Sequence, residues 1–363
     1  MAADKLILLC AGGTGGHLFP AEALAVALDK RGVIVELATD LRAAQFKFPA
    51  RAVHLIPSET VRGRDPISLA RTLSMLAYGT MKAWSLIGRI KPAAVVGFGG
   101  YPTVPPLFAA CLRGAPTVLH EQNGVMGRAN RLLAARVTTI ATSFKSLSNL
   151  DPRLQPKVVF TGNPVRPQVT QAASMPYVAP GDGPLRVLVF GGSQGAHVMA
   201  EIVPPAIERL TPAVRARLRI VQQARGEDLE SVRGAYARLG VAAECAPFFA
   251  DLPRRMAEAH LVISRSGAST VAELSAIGRP AILVPLPHAL DQDQFANAGV
   301  LAQAGGATRL EQRDFTPERL AAEISRLAGD PARLAQMAQG SKSAGTIDAA
   351  ERLAGLVIKV AGH

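Results

Sequence analysis

Short uninterrupted runs of apolar residues recur along the chain, each ending in glycine or polar residues and leading into helical periodicity. The first, Leu6-Ile7-Leu8-Leu9-Cys10-Ala11, predicts a buried strand. Gly12-Gly13-Thr14-Gly15-Gly16-His17 follows, then a helical pattern over about 20–30, Gly32 as its stop, and a second strand over 33–38. The grammar returns at Leu185-Arg186-Val187-Leu188-Val189-Phe190, with Gly191-Gly192-Ser193-Gln194-Gly195-Ala196-His197, a helix to about Leu210 and a strand over 218–222. Two such β-α-β starts, about 180 residues apart, predict an α/β chain of two Rossmann-like domains with mostly parallel sheets. Further runs over 93–101, 117–124, 260–267 and 281–285 also place glycine or polar residues at the carboxyl ends of predicted strands. Ligands bind at that edge, so two domains facing across it would form a cleft. Residues 168–184, rich in Ala, Pro, Gly and Ser, read as the linker.

Composition agrees with two filled cores. The chain has 363 residues, 48% hydrophobic and 19% charged, which excludes a disordered or fibrous protein. Lys+Arg 40 against Asp+Glu 28 gives a net charge of +12. Residues 1–165 hold 19 of the basic and 9 of the acidic side chains, so this half carries +10 and the remainder +2. An acidic partner is implied: nucleic acid, an anionic membrane or a phosphorylated small molecule. The absence of zinc-ligand spacing and of a basic zipper, with only 5% aromatics, argues against nucleic acid. Cys10, Cys111 and Cys245 lack CxxC spacing and suit a reducing cytosol. No run reaches the ~18–20 apolar residues of a membrane span, which leaves peripheral attachment open.

A glycine-rich turn entering a helix lets backbone N–H groups approach an anion, with the helix dipole in support. Neither turn continues as Gly-Lys-Ser/Thr, which argues against a P-loop. Asp40 near the end of the second strand and a degenerate GxGxxG keep a dinucleotide reading open. His17 after the first turn suits a general base, and His120-Glu121 at a strand end offers a second polar cluster. Thr270 and Glu273 fit either a ligand contact at a helix start or a capping box. Asp291-x-Asp293 is a poor metal site without further ligands, and Arg166 at the domain junction is placed to fork onto a diphosphate. Residues 62–91 combine the only Trp with Arg62, Arg64, Arg71, Lys82, Arg89 and Lys91 against one acid, Asp65. That composition fits a basic amphipathic helix at a lipid surface, or a core helix with one basic face.

Seven ordered motifs resemble those of the bacterial MurG family of glycosyltransferases. They are Gly12-Gly13-Thr14-Gly15-Gly16-His17, Gly99-Gly100-Tyr101, His120-Glu121-Gln122-Asn123, Gly162-Asn163-Pro164-Val165-Arg166, Gly191-Gly192-Ser193-Gln194-Gly195-Ala196, Arg265-Ser266-Gly267-Ala268 with Glu273, and the run over 285–294. The resemblance implies a GT-B fold: an acceptor and membrane-facing domain of 1–165 plus 342–363, and a UDP-sugar-binding domain of 166–341. It implies an inverting transfer of N-acetylglucosamine from UDP-N-acetylglucosamine to the muramyl C4 hydroxyl of lipid I, giving lipid II. The expected setting is peripheral, on the cytoplasmic face of the bacterial inner membrane, with residues 62–91 meeting anionic lipid. Donor contacts are expected from Thr14, Gly15, Gly16, Asn123, Arg166, Ser193, Phe249, Ala268, Ser269, Thr270, Glu273 and Gln294. Acceptor contacts are expected from Gly99, Gly100, Tyr101 and His120. His17 is the first candidate base and Glu121 the second; no metal or other obligatory cofactor is expected. A UDP-N-acetylglucosamine 2-epimerase, a dinucleotide-dependent oxidoreductase and a silent membrane scaffold are the competing readings.

Overall fold

The computed structural model describes residues 5–13, 15–41, 47–59, 66–192 and 195–362. The chain divides into two units, Met1–Arg166 with Ile347–His363, and Pro167–Thr346. In the first, β1 (Leu6–Cys10), β2 (Ile34–Thr39), β3 (Ala52–Leu55), β4 (Ala94–Gly97), β5 (Thr117–Glu121), β6 (Thr139–Thr142) and β7 (Val158–Phe160) alternate with α1 (Gly15–Asp29), α2 (Pro66–Ile90), α3 (Val104–Leu112) and α4 (Arg128–Ala134). The strands lie in the order β3-β2-β1-β4-β5-β6-β7, every pair parallel.

β1 is buried along its whole length, because both faces of a parallel sheet are covered. Ile7 and Leu9 pack with Leu24, Leu28, Leu353 and Val357 on one face. Leu8 and Cys10, pointing the other way, join Ala83, Leu86, Leu107 and Leu119.

The second unit repeats the plan. It runs α5 (Pro167–Ala172), β8 (Leu185–Phe190), α6 (His197–Glu208), α7 (Pro212–Arg217), β9 (Leu218–Gln223), α8 (Leu229–Arg238), β10 (Ala242–Ala246), α9 (Leu252–Glu258) and β11 (Leu261–Ser264). Then come α10 (Ala268–Ile277), β12 (Ala281–Leu283), α11 (Asp293–Gln303), β13 (Ala307–Arg309), α12 (Pro317–Ala328) and α13 (Pro331–Ala344), before α14 (Ala349–Val360) rejoins the first unit. The order β10-β9-β8-β11-β12-β13 is again all parallel. In each sheet the strand order reverses beside the first strand, between β1 and β4 and between β8 and β11, and both glycine-rich turns leave the carboxyl ends at these switch points.

Four local expectations change. The first helix begins at Gly15 and carries Pro20 inside it; the proline removes one N–H without stopping the helix, so His17 lies in the first turn. The 168–184 linker contains α5, whose Val169 is fully buried. Arg166 ends the first unit instead of opening the second. The return crossing falls at Thr346 rather than before 342, because Ser341 Oγ donates to Leu274 O (3.1 Å) and Lys342 Nζ to Ala276 O (2.7 Å).

Candidate functional site

In the first unit, three strand ends contribute. After β1 the turn is pinned by Asp40, whose buried Oδ1 accepts the Gly13 N–H at 3.2 Å. The carboxylate that kept a dinucleotide reading open is thus spent on the turn itself. Thr14 lies outside the described residues. Gly15 and Gly16 open α1, whose first N–H groups have no intrahelical acceptor. After β4, Gly99 and Gly100 take φ of 80° and 72°, where a side chain is strained. A Cβ on Gly100 would stand 3.3 Å from His17 Nε2, so the imidazole packs directly on this turn. Tyr101, half-buried, follows in a 3-10 turn anchored by Thr103 Oγ1, which donates to Gly99 O (2.7 Å) and Cys10 O (3.1 Å).

β5 ends in a buried polar cluster. His120 is fully buried. Its Nε2 lies 3.1 Å from Gly162 O, its Nδ1 lies 3.1 Å from Gln122 Nε2, and its ring packs 5.5 Å from Phe98. Burial above all holds its pKa down to about 4, so the ring is neutral and has no face for a substrate. Glu121 is equally enclosed: Oε1 accepts from Asn123 N (3.0 Å) and Nδ2 (3.3 Å), and Oε2 from Gly127 N (2.9 Å) and Asn130 Nδ2 (2.7 Å). Burial raises its pKa against those contacts. Four N–H donors form a cradle for a carboxylate, which aims Asn123 and leaves Glu121 no lone pair to offer a substrate. His17, half-buried, has its pKa lowered by burial, with the Gln122 side chain and the Phe98 backbone acting the other way. It is therefore an unprotonated imidazole at neutral pH. Arg166 sits with its guanidinium 4.1 Å over the Phe19 ring of α1 and in the field of Glu22.

In the second unit, Gly191 N–H donates to Gln223 Oε1 (3.1 Å), and a Cβ on Gly191 would collide with the Ala196 amide nitrogen. Ser193 lies outside the described residues. α6 and α10 both begin without a side-chain cap, on Ala196 and Gly267. The space beside Gly267 is open, so the first turn of α10, with Ala268, Ser269 and Thr270 half-buried, presents N–H groups suited to an anion. Gly267 as N-cap rules out the Thr270–Glu273 capping box: both residues lie inside the helix, Glu273 buried.

Gln294, in the first turn of α11, accepts the Leu286 N–H on Oε1 (3.1 Å), and its carbonyl accepts Ser266 Oγ (2.8 Å). It follows Asp291 and Gln292 at φ of 57° and 55°. The Phe249 ring is buried under the Arg255 guanidinium at 4.4 Å, whereas Phe248 is 69% exposed. Phe249, the expected donor contact, is thus the inner ring of an aromatic doublet, and a doublet on a short loop carries no period that says which ring faces out. Gln122 stands in the His120–Asn123 motif without an expected role and Asn130 lies outside every motif, yet their amides bind the buried cluster. Among the described residues no three His, Cys, Asp or Glu side chains group so as to hold a metal ion.

On α2, Thr72, Gly79, Ala83, Leu86 and Ile87 face inward, while Leu73, Met81 and Trp84 are 58%, 64% and 40% exposed. Spacings of eight and three residues put those three on one helical stripe. Arg71, Lys82 and Arg89 are exposed together on the other flank of the helix, Arg71 3.4 Å from Glu59, and Arg113 of the α3 terminus stacks 4.2 Å over Trp84. Core helix and basic outer face therefore coexist. Arg62, Arg64 and Asp65 lie outside the described residues, and no described helix is long and apolar enough to cross a membrane.

Two Rossmann-like units, each with a ligand-binding switch point at its strand ends, define a double-Rossmann protein, and the comparisons make it a glycosyltransferase. Residues 7–142 match the glycosyltransferase family 28 N-terminal domain and residues 186–353 its C-terminal domain. The UDP-N-acetylglucosamine–N-acetylmuramyl-(pentapeptide) pyrophosphoryl-undecaprenol N-acetylglucosamine transferase of Rhodopseudomonas palustris (strain BisB18) is 62% identical over 98% of this chain and 96% of its own. The protein of the same description from Nitrobacter hamburgensis is 61% identical over 99% and 98%. The crystal structure of Acinetobacter baumannii MurG superposes with a TM-score of 0.78 at 30% identity, covering 98% of this chain and 99% of that one. A UDP-N-acetylglucosamine 2-epimerase structure, at 13% identity and TM-score 0.62 over 97% and 95%, shares the fold alone. The chain belongs to the MurG family of N-acetylglucosamine transferases.

Proposed function

We propose that the protein transfers N-acetylglucosamine from UDP-N-acetylglucosamine to the muramyl C4 hydroxyl of lipid I, forming lipid II with inversion at the anomeric carbon. The observation that carries the chemical half of this reading is His17: a neutral imidazole in the first turn of α1, its Nε2 edge against the Gly99-Gly100 turn. As the C4 oxygen bonds to the anomeric carbon, its proton passes to His17 Nε2, and the anomeric bond to the β-phosphate oxygen breaks with its electron pair leaving on UDP. Glu121 serves as the positioning carboxylate for Asn123 rather than as the base, and His120 lies beneath the acceptor surface rather than on it. Gly99, Gly100 and Tyr101 form the acceptor-side surface.

The donor is assigned to the second unit. The open first turn of α10 receives the diphosphate, Glu273 the ribose and Gln294 the sugar, with Gly15, Gly16, Asn123 and Arg166 as the first unit's contribution. Thr14 and Ser193 keep their expected donor roles, outside the described residues. Helix N-termini and a guanidinium supply the positive potential that the departing UDP requires, and no metal is assigned a step. The exposed face of α2, with the stripe of Leu73, Met81 and Trp84 on one flank and Arg71, Lys82 and Arg89 on the other, is assigned to the anionic inner-membrane surface, on the cytoplasmic side where a UDP-sugar is available. Incubation with UDP-N-acetylglucosamine and a soluble lipid I analogue tests the reading. A product heavier by one N-acetylhexosamine, formed in step with UDP release, supports it; UDP release without the disaccharide overturns it.

A further inference from the structure

We infer that Arg265 and Ser266 are positioning residues that clamp the 284–294 loop in the shape in which Gln294 presents its amide NH2 to the donor sugar. The two stand between β11 and the Gly267 N-cap of α10, both buried, Ser266 completely. They grip opposite ends of the loop. Arg265 Nη1 donates to Val284 O and Pro285 O, both at 3.2 Å, and its Nη2 donates to Gln312 Oε1 (2.6 Å). Ser266 Oγ donates to Gln294 O (2.8 Å), and Ser266 O accepts from Nδ2 of the fully buried Asn297 (3.2 Å). The strand end that leads into the first turn of α10 therefore fixes both where the loop leaves β12 and where α11 begins.

Between those anchors the backbone is not relaxed. Asp291 and Gln292 take φ of 57° and 55° in succession, a left-handed conformation that residues with side chains keep only where their surroundings hold them in it. Within the loop, the Leu286 N–H donates to Gln294 Oε1 (3.1 Å). An N–H needs an acceptor, so this bond settles the amide orientation: Oε1 is turned back onto the loop and the NH2 is the end left for a ligand. An NH2 group only donates, so what it reads on a sugar is an acceptor oxygen, a hydroxyl or an acetamido carbonyl. Ser266 is fully buried with its hydroxyl given to the Gln294 backbone, and Arg265 gives its guanidinium to carbonyls and to Gln312. Both therefore act on the sugar through the loop, and the turn suited to the diphosphate and the side chain suited to the sugar are set by one pair of neighbouring residues.

The inference rests on the proposed reading of the second unit as the donor site, and its test separates the two. Titration calorimetry on the full-length protein gives Kd for UDP and for UDP-N-acetylglucosamine, and the ratio of the two isolates what the sugar contributes. Gln294→Ala should weaken UDP-N-acetylglucosamine on the order of 10-fold, with UDP unchanged within about twofold. Ser266→Ala should move the ratio in the same direction by a similar amount. Arg265→Lys, which keeps the charge but loses the fork across the carbonyls, should move it by less. Adding Ser266→Ala to Gln294→Ala should change the ratio no further, because the hydroxyl acts through that side chain. Ser266→Cys, close in volume and a weak donor, covers the case in which the alanine variant does not fold, and should give the same shift in smaller measure. An unchanged ratio in both Ser266 variants, or equal losses for UDP and UDP-N-acetylglucosamine, overturns the clamp and leaves the donor site standing. An unchanged ratio in Gln294→Ala removes the sugar from Gln294 and the clamp with it. Failure of the unaltered protein to bind either nucleotide overturns the donor-site reading and the inference together.

Discussion

Two sheets of the same strand order end in two different surfaces. At the first switch point the polar groups are enclosed: Asp40 holds the Gly13 turn, His120 the Gly162 carbonyl and Glu121 the 123–130 segment, while His17 packs on the Gly100 turn. At the second, helices α6 and α10 start bare, with glycine and alanine where a capping side chain would stand. Topology gives both a place to bind a ligand; the side chains decide whether the place moves a proton or holds an anion. Charge follows a similar division. The basic excess belongs to residues 1–165, where α2 displays part of it on the flank beside an apolar stripe, and the near-neutral second unit offers backbone N–H groups at bare helix starts.

Changes confined to one unit should therefore fail in that unit's own way. The largest effect is expected from reversing Arg71, Lys82 and Arg89 to Glu. At about 1 kcal/mol per basic residue near an anionic surface, partition onto phosphatidylglycerol vesicles should fall at least on the order of 100-fold, while turnover of a soluble acceptor analogue is kept. Sedimentation with vesicles and a solution assay read the two outcomes, and unchanged partition would remove α2 from the membrane. Next, Gly191→Ala forces a methyl into the Ala196 amide. A cost of about 2–3 kcal/mol should appear in urea unfolding, with donor affinity down on the order of 100-fold and acceptor affinity intact.

Acid should weaken both units. His120 and His260 are each held near pKa 4, His120 chiefly by burial and His260 by burial with Arg186 and Arg279. The unfolded chain, with histidine near 6.5, takes up protons that the folded one refuses, so stability is complete above about pH 6.5 and declines as pH falls toward 4. For His120 the share lost by pH 5 is about 2 kcal/mol. His120→Asn should flatten the pH dependence of the urea midpoint by roughly that amount. The smallest change is Glu121→Gln, which sets an NH2 against buried N–H donors and should cost about 1–3 kcal/mol. Lowered kcat with that stability loss fits a positioning role, whereas lowered kcat at full stability would return Glu121 to candidacy as the base.

The two sheets were legible because their strands are uninterrupted apolar runs punctuated by glycine, and β8 spans the predicted 185–190. The start of α1 was placed late because Pro20 looks like a first-turn residue in sequence and is tolerated one turn further in. α5 was missed because six residues with a single fully buried valine give no period. In the site, motif spacing singled out the strand ends but not the partners within them. His120 and Glu121 read from sequence as a polar cluster at a strand end open to substrate; alternation sends them to opposite faces of β5, and both faces are covered. Gln122 shows its meaning only when the Gly162 loop, forty residues on, is brought under His120.

The most direct test of this division of labour sets His17→Ala beside Glu273→Ala, with kcat from the soluble-acceptor assay and donor affinity from titration calorimetry with UDP-N-acetylglucosamine. The account predicts that His17→Ala loses kcat on the order of 10²–10³-fold with donor Kd unchanged within about twofold, and that Glu273→Ala weakens donor binding while keeping most of kcat at saturating donor. Equal losses of donor affinity and turnover in His17→Ala would contradict it.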